Sequence, residues 1–190
     1  MLGAIVLAVA LSTAACSDHG SMPNMDHSGG TATSSSSAGV FNDADVAFAQ
    51  HMIPHHQQAV EMAELGAGRA SDQQVKSLVA QIKAAQGPEI ATMTGWLTAW
   101  GKPATMGGMD HSGMPGMMTD ADMTALKGLS GSAFDKRFCT MMIAHHEGAI
   151  AMANEELAKG ANPEAKKLAQ QIITGQQAEI DTMKTIAGRI

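Results

Sequence analysis

The chain has 190 residues, a net charge of −6 and a pI near 5.7. It carries no basic run, so nucleic acid is not an expected partner. Sixteen methionines stand against four phenylalanines, two tryptophans and no tyrosine. The core must therefore be built from Ala, Met, Leu, Ile and Val, a mixture that favours helices over sheets.

The first fifteen residues, MLGAIVLAVALSTAA, are apolar or small and uncharged, and Cys16 follows at once. An apolar run closing on T-A-A-C has the form of a lipoprotein signal, with cleavage before Cys16 and lipid on its thiol. A secretion signal and a membrane anchor are the alternatives. All three place the domain outside the cytoplasm, and the lipoprotein form anchors it to the outer face of the cytoplasmic membrane. With Cys16 lipidated, Cys139 is the only remaining thiol and no internal disulfide forms. Cys139 then reads as a small buried hydrophobe or as a soft metal ligand.

Residues 16–41 form a tether rich in Ser, Gly, Met and His, and a helical domain follows over 42–188. The first helix is expected from Asp43 to Leu65, ending at the glycines of LGAG. The second starts at Ser71, with Gln74 completing a capping box, and runs toward Trp100. Residues 101–118, rich in Gly, Met and Pro, cross to the second half. A short helix follows Thr119, and a long one spans Ala133 to Lys159, stopped by Gly160. The last opens on Asn162-Pro163-Glu164, a cap, a first-turn proline and an acid at the positive end of the helix dipole, and runs to about Gly188. Pro54 and Pro88 fall inside helical patterns, where proline removes a donor and crowds the preceding turn. A kink, or a helix boundary, is expected beside His55.

The chain repeats itself. Laid over Phe138–Met183 without a gap, Phe48–Met93 is identical at 17 of 46 positions. The matches include Met52/Met142, His55/His145, His56/His146, Met62/Met152, Gln86/Gln176, Glu89/Glu179 and Met93/Met183. A duplicated helical hairpin buries its apolar stripes best against its own copy, which predicts an all-α four-helix bundle with pseudo-twofold symmetry. Repeat 1 covers roughly 42–100 and repeat 2 roughly 130–188.

The densest chemistry is HMIPHHQQAVEM at 51–62 and MMIAHHEGAIAM at 141–152. At about 100° per residue, Met52, His55, His56 and Ala59 fall in one arc of the helix, as do Met142, His145, His146 and Ala149. His55, His56, His145 and His146 are the principal candidate metal ligands, with Met52, Met142, Met141 and His51 beside them. The alternative for the methionines is core packing, and for the imidazoles structural hydrogen bonding. Four buried imidazoles cost stability unless each finds a partner. A hairpin turning near residue 68 brings residues 81–86 beside 51–56. Gln86 and Glu89, and by symmetry Gln176 and Glu179, then become the groups that orient the rings.

The doubled M-I-x-H-H-x-x-A-[VI]-x-M pattern, each copy followed by Q-x-x-E-I-x-x-M, resembles the domain of unknown function 305 family over roughly residues 42–187. The resemblance implies a ferritin-like helical bundle and kinship with CopM-like exported copper-binding proteins linked to copper resistance. It implies metal handling.

Thioether sulfur is soft and suits Cu(I), whereas imidazole accepts Cu(I) and Cu(II). A Met/His set outside the cytoplasm therefore points to copper buffering, tolerance or delivery, with a copper-exporting or copper-accepting protein as partner. Met22, Met25, His27, Met106, Met109, His111, Met114, Met117 and Met118 lie in segments without core-forming neighbours and are candidates for flexible metal capture. Two other classes remain. One is a metal-independent helical module tethered to the membrane. The other is a ferritin-like redox enzyme, which needs Glu-x-x-His motifs that this chain lacks. No nucleophile–base pair or phosphate loop stands out, so enzymatic activity is not expected.

Overall fold

The computed structural model describes residues 39–104 and 113–190. Cys16, Met22, Met25, His27, Met106, Met109 and His111 lie outside the described residues. Five helices are present: α1 (Asp43–Arg69), α2 (Gln73–Ala99), α3 (Asp120–Lys127), α4 (Gly131–Lys159) and α5 (Pro163–Ala187). The described residues contain no strand. α1 packs along α2 and α4 along α5; the two hairpins meet chiefly through α1 and α4, with α2 touching α5. None of the described helices is long and apolar enough to cross a membrane.

The helix starts follow from local chemistry. Asn42 accepts from Ala44 N and Asp45 N, while the Asp45 carboxylate accepts from Asn42 N, closing a capping box. Thr119 and Asp122 form another at α3. Asn162 caps α5 ahead of Pro163. At α2 the expectation fails by one residue. Asp72, not Ser71, is the cap, accepting from Gln74 N and Val75 N. Ser71 is committed elsewhere, as described below.

α1 also overruns its expected end at Leu65. Gly66 is buried in the helix interior, where a Cβ would collide with the Val79 side chain. This glycine lets α1 and α2 approach closely rather than stopping α1. The turn consequently falls at Ala70–Asp72 instead of near residue 68, and the pairing register moves with it. His56 still meets Glu89, as expected, although a turn near residue 68 would have put residues 81–86 beside 51–56. α1 continues through Pro54 and α2 through Pro88, so neither proline is a helix boundary.

Two apolar clusters build the core. One holds Ala59, Met62, Leu78, Ile82, Phe134, Phe138, Met142 and Met183. The other holds Val46, Phe48, Met52, Met93, Leu97, Ala149 and Ile172. On every long helix a polar pair falls between the residues of one cluster and those of the other. These pairs are His55/His56 on α1, Gln86/Glu89 on α2, His145/His146 on α4 and Gln176/Glu179 on α5. A polar layer thus separates two apolar ones.

Each hairpin also holds the other's turn. Asp45 on α1 accepts from Ala161 N and Asn162 N in the α4–α5 turn. Asp135 on α4 accepts from Ser71 N, Ser71 Oγ and Asp72 N in the α1–α2 turn. The two aspartates are 90 residues apart, the spacing of the repeat. Both are buried, so each meets its desolvation cost with several donors.

The end of the crossover is docked. The Gln58 amide donates to Met118 O at 2.8 Å and accepts from Met118 N at 2.7 Å. Gly116 has φ +78°, a conformation that favours glycine, and lies against the Ala144 and His145 carbonyls. A Cβ on Gly148 would collide with the Pro115 carbonyl. Gln58 and Gly148 occupy equivalent repeat positions, so unlike residues at one symmetric place seat a single strap.

Two outcomes follow. Burial alone would raise the Asp45 carboxyl, but hydrogen bonds from Asn162, Asn42, the Glu156 carboxyl and Ala161 outweigh it and hold the group below its ordinary value of 3.8. The stability this supplies is complete above pH 3.8 and is lost as pH falls through the lower folded value. Asp45→Asn is expected to cost about 1–3 kcal/mol at pH 7, with the gap to the parent closing in acid, as read from urea midpoints across pH. Gly148→Ala is expected to cost about 1–3 kcal/mol through overpacking and to speed amide exchange at residues 116–118; unchanged exchange would contradict the docking described.

Candidate metal centre

The polar layer is assembled from i, i+1 histidine pairs on the two helices that join the hairpins. Adjacent residues on a helix point about 100° apart, so one His of each pair can face the opposite hairpin while the other faces its own. His55 and His145 take the first role. Their rings face each other across the α1–α4 contact with centroids 3.7 Å apart and planes tilted by 38°. His56 and His146 take the second. His56 Nε2–H donates to Glu89 Oε2 at 2.7 Å, and His146 Nε2–H donates to Glu179 Oε2 at 2.6 Å. The geometry is the same in both repeats, as their shared sequence requires.

All four histidines are fully buried. His55 Nε2–H donates to the Pro115 carbonyl at 3.1 Å, which ties the crossover strap to this layer. The carbonyl can only accept, so the proton sits on Nε2 and Nδ1 carries the lone pair. Burial, and then the neighbouring His56, push the His55 imidazole down to about 3. Burial, followed by His55 and the other two imidazoles, holds His145 well below its ordinary value. Both rings are neutral at physiological pH, so each carries one lone pair beside its single N–H.

Several nitrogens of the layer lack partners. Nδ1 of His55, His56 and His146 and both ring nitrogens of His145 are buried without a hydrogen bond. Buried polar atoms are nearly always satisfied, and five unpartnered imidazole nitrogens in one layer are costly for stability alone. Such a donor set fits a metal that accepts neutral imidazole, with Glu89 and Glu179 fixing two of the rings from behind. Among the described residues no three His, Cys, Asp or Glu groups already stand in metal-holding geometry. Binding here therefore requires ring reorientation, and for His55 Nε2 it requires release of Pro115.

The other candidates divide. Gln86 and Gln176 are buried, and with Glu89 and Glu179 they line a cavity of about 40 Å³ between α2 and α5. Both polar atoms of the Gln86 amide are unpartnered. Met52 lies in one apolar cluster and Met141 and Met142 in the other, so the structure does not bring these thioethers together. His51 lies outside the polar layer, in a separate pocket. Met118 packs on the core, and Met114 and Met117 are half-buried in the strap. Cys139 is fully buried in apolar surroundings, and burial, followed by the nearby Asp135 and Asp72 charges, pushes its thiol up to about 11. It is a small hydrophobe here, protonated at neutral pH.

Sequence reasoning did not find the Pro115 carbonyl, Gln58 or Gly148 as parts of this centre. Only the last two leave a trace, as one of several mismatches between the two His motifs. Asp45 and Asp135 do carry a signal, since they coincide under the same 90-residue offset just before the aligned segment begins.

Residues 45–187 match the family model described as Domain of unknown function (DUF305). No functionally curated protein matches the chain. Among solved structures, a DUF305 fragment from Deinococcus radiodurans is 34% identical with a TM-score of 0.72, over 78% of this chain and 98% of that one. A candidate secreted DUF305 protein from Streptomyces coelicolor is 34% identical with a TM-score of 0.71, over 75% and 91%. CopM in its Cu(II)-bound form is 35% identical with a TM-score of 0.67, over 76% and 95%; CopM is also known in Cu(I)-bound and silver-bound forms. The architecture, the doubled histidine motif and these likenesses agree that the chain belongs to the DUF305 family.

Proposed function

We propose that this protein is an extracytoplasmic copper-binding protein that takes Cu(I) and Cu(II) into the layer formed by His55, His56, His145 and His146. The reading rests on five buried, unpartnered imidazole nitrogens at repeat-equivalent positions. The copper-bound and silver-bound forms of CopM support the choice of metal. So does the donor chemistry, because neutral imidazole accepts both copper states whereas thioether favours the reduced one.

The scaffold is a four-helix, ferritin-like bundle of two duplicated hairpins, which is what the packing of α1 on α2 and α4, and of α5 on α4 and α2, supports. Lipid on Cys16 anchors it to the outer face of the cytoplasmic membrane. The methionines of the tether and crossover collect Cu(I), and a copper-exporting or copper-accepting protein exchanges it.

Anaerobic titration of the full chain with Cu(I) against a chelator tests this. The variant with all four histidines changed to Ala is expected to lose its tight site while remaining helical by circular dichroism. Changing Met106, Met109, Met114 and Met117 to Ser is expected to reduce the number of weakly held ions and leave the tight site. Copper binding unchanged in both variants would contradict the reading and leave a metal-independent helical module. Glu89→Gln with Glu179→Gln is expected to weaken tight binding by about 10–100-fold, because the rings lose the groups that orient them.

A further inference from the structure

A second polar pocket opens between α1 and α4, away from the histidine layer. It is a cavity of about 100 Å³ lined by Ala44, Ala47, Phe48, His51, Met152, Glu155 and Glu156. His51 and Met152 are half-buried, so both combine fixed position with access. Glu156 is only 1% exposed, and its carboxyl meets no polar group except the adjacent Asp45 carboxyl. Gly160 makes room for that carboxyl, since a Cβ there would collide with Glu156 Oε1. Burial, and then the adjacent Asp45, push the Glu156 carboxyl up to about 8. A bound cation would take the place of its proton. Glu155, at the mouth, is paired with Lys159.

The repeat supplies an internal control. The 90-residue offset carries Ala44 to Phe134, His51 to Met141, Glu155 back to Leu65 and Glu156 back to Gly66. At the symmetric place the chain therefore has Phe134, Met141, Leu65 and Gly66, with Met62 in the position of Met152 and Arg137, paired with Asp122, in that of Ala47. Phe134, Met141 and Met62 are buried in an apolar cluster, with Leu65 packed against it. Duplication alone predicts like sites at both places. In the first repeat's half, a bulky ring has become Ala44, which opens space. An imidazole and two carboxyls have replaced apolar or absent side chains, which adds donors. The thioether is kept.

We propose that the pocket lined by His51, Met152 and Glu156 is a second metal site, open to solvent and selective for a soft monovalent ion, Cu(I) or Ag(I). One imidazole and one thioether suit such an ion and the buried Glu156 carboxylate balances its charge, whereas zinc takes Cys, His and carboxylate without thioether. The site does not depend on the buried histidine layer, and its test is separable from the test of that layer.

Ag(I), which is redox-silent, is the probe. The full chain is labelled with 13C at its methionine methyl groups, and the Met152 resonance is identified by its absence in Met152→Leu. The Met152 resonance is expected to shift on addition of Ag(I). In His51→Ala the same shift is expected to require roughly ten-fold or more silver. In the variant with His55 and His145 changed to Ala the shift is expected to persist at the parent's silver concentration, which separates this site from the buried layer. A Met152 resonance unmoved by saturating Ag(I), or one that moves identically in His51→Ala, would overturn the proposal.

Discussion

A buried imidazole has two nitrogens, and each must be answered. The structure places four such rings in one layer, between two apolar clusters, and much of the surrounding architecture serves that layer. The outer helices α2 and α5 contribute Glu89 and Glu179 at the height where His56 and His146 need acceptors. The crossover bends back so that the Pro115 carbonyl reaches His55. Gly148 is bare because that carbonyl occupies the space of its side chain. Even so, five ring nitrogens stay unanswered. Apolar side chains would fill the same layer at lower cost, so retention of the rings calls for an explanation outside stability, and metal binding supplies one.

Duplication explains what is shared, and departures from it locate what is special. The shared parts are structural or central: the crossed Asp45 and Asp135 clasps, the caps at Asp72 and Asn162, and the four histidines with their carboxylates. Two of the departures bear on sites. Gln58 and Gly148 differ so that one strap can dock on a nearly symmetric surface. His51 and Glu156 stand where the other repeat has Met141 and Gly66, turning an apolar plug into a polar pocket. Symmetry thus separates residues that hold the fold from residues that individualise each half.

Much of this was legible in the sequence, and the failures have definite causes. The all-helical fold, the five helices and the placing of Glu89 and Glu179 beside the His motifs follow from periodicity and the gapless repeat. The end of α1 was misjudged because a glycine that stops a helix and a glycine that admits a neighbouring helix look alike in sequence; only Val79 against Gly66 distinguishes them. That error displaced the turn and the register. Ser71 looks like a cap because its hydroxyl is suited to capping, but Asp135, sixty-four residues away, claims it. Met52, Met141 and Met142 matched a ligand pattern by spacing, whereas the structure places them in the apolar clusters. The docking of residues 113–118 rests on backbone carbonyls and one turn, which no side-chain pattern announces.

X-ray absorption at the copper edge, on the full chain loaded anaerobically with one equivalent of Cu(I), tests the central claim most directly. Imidazole nitrogen and sulfur scatter distinguishably. Copper held by the buried layer predicts nitrogen scatterers with the outer-ring signature of imidazole, lost when His55, His56, His145 and His146 are replaced. Coordination by sulfur alone would place the tight ion on the methionines and contradict the account.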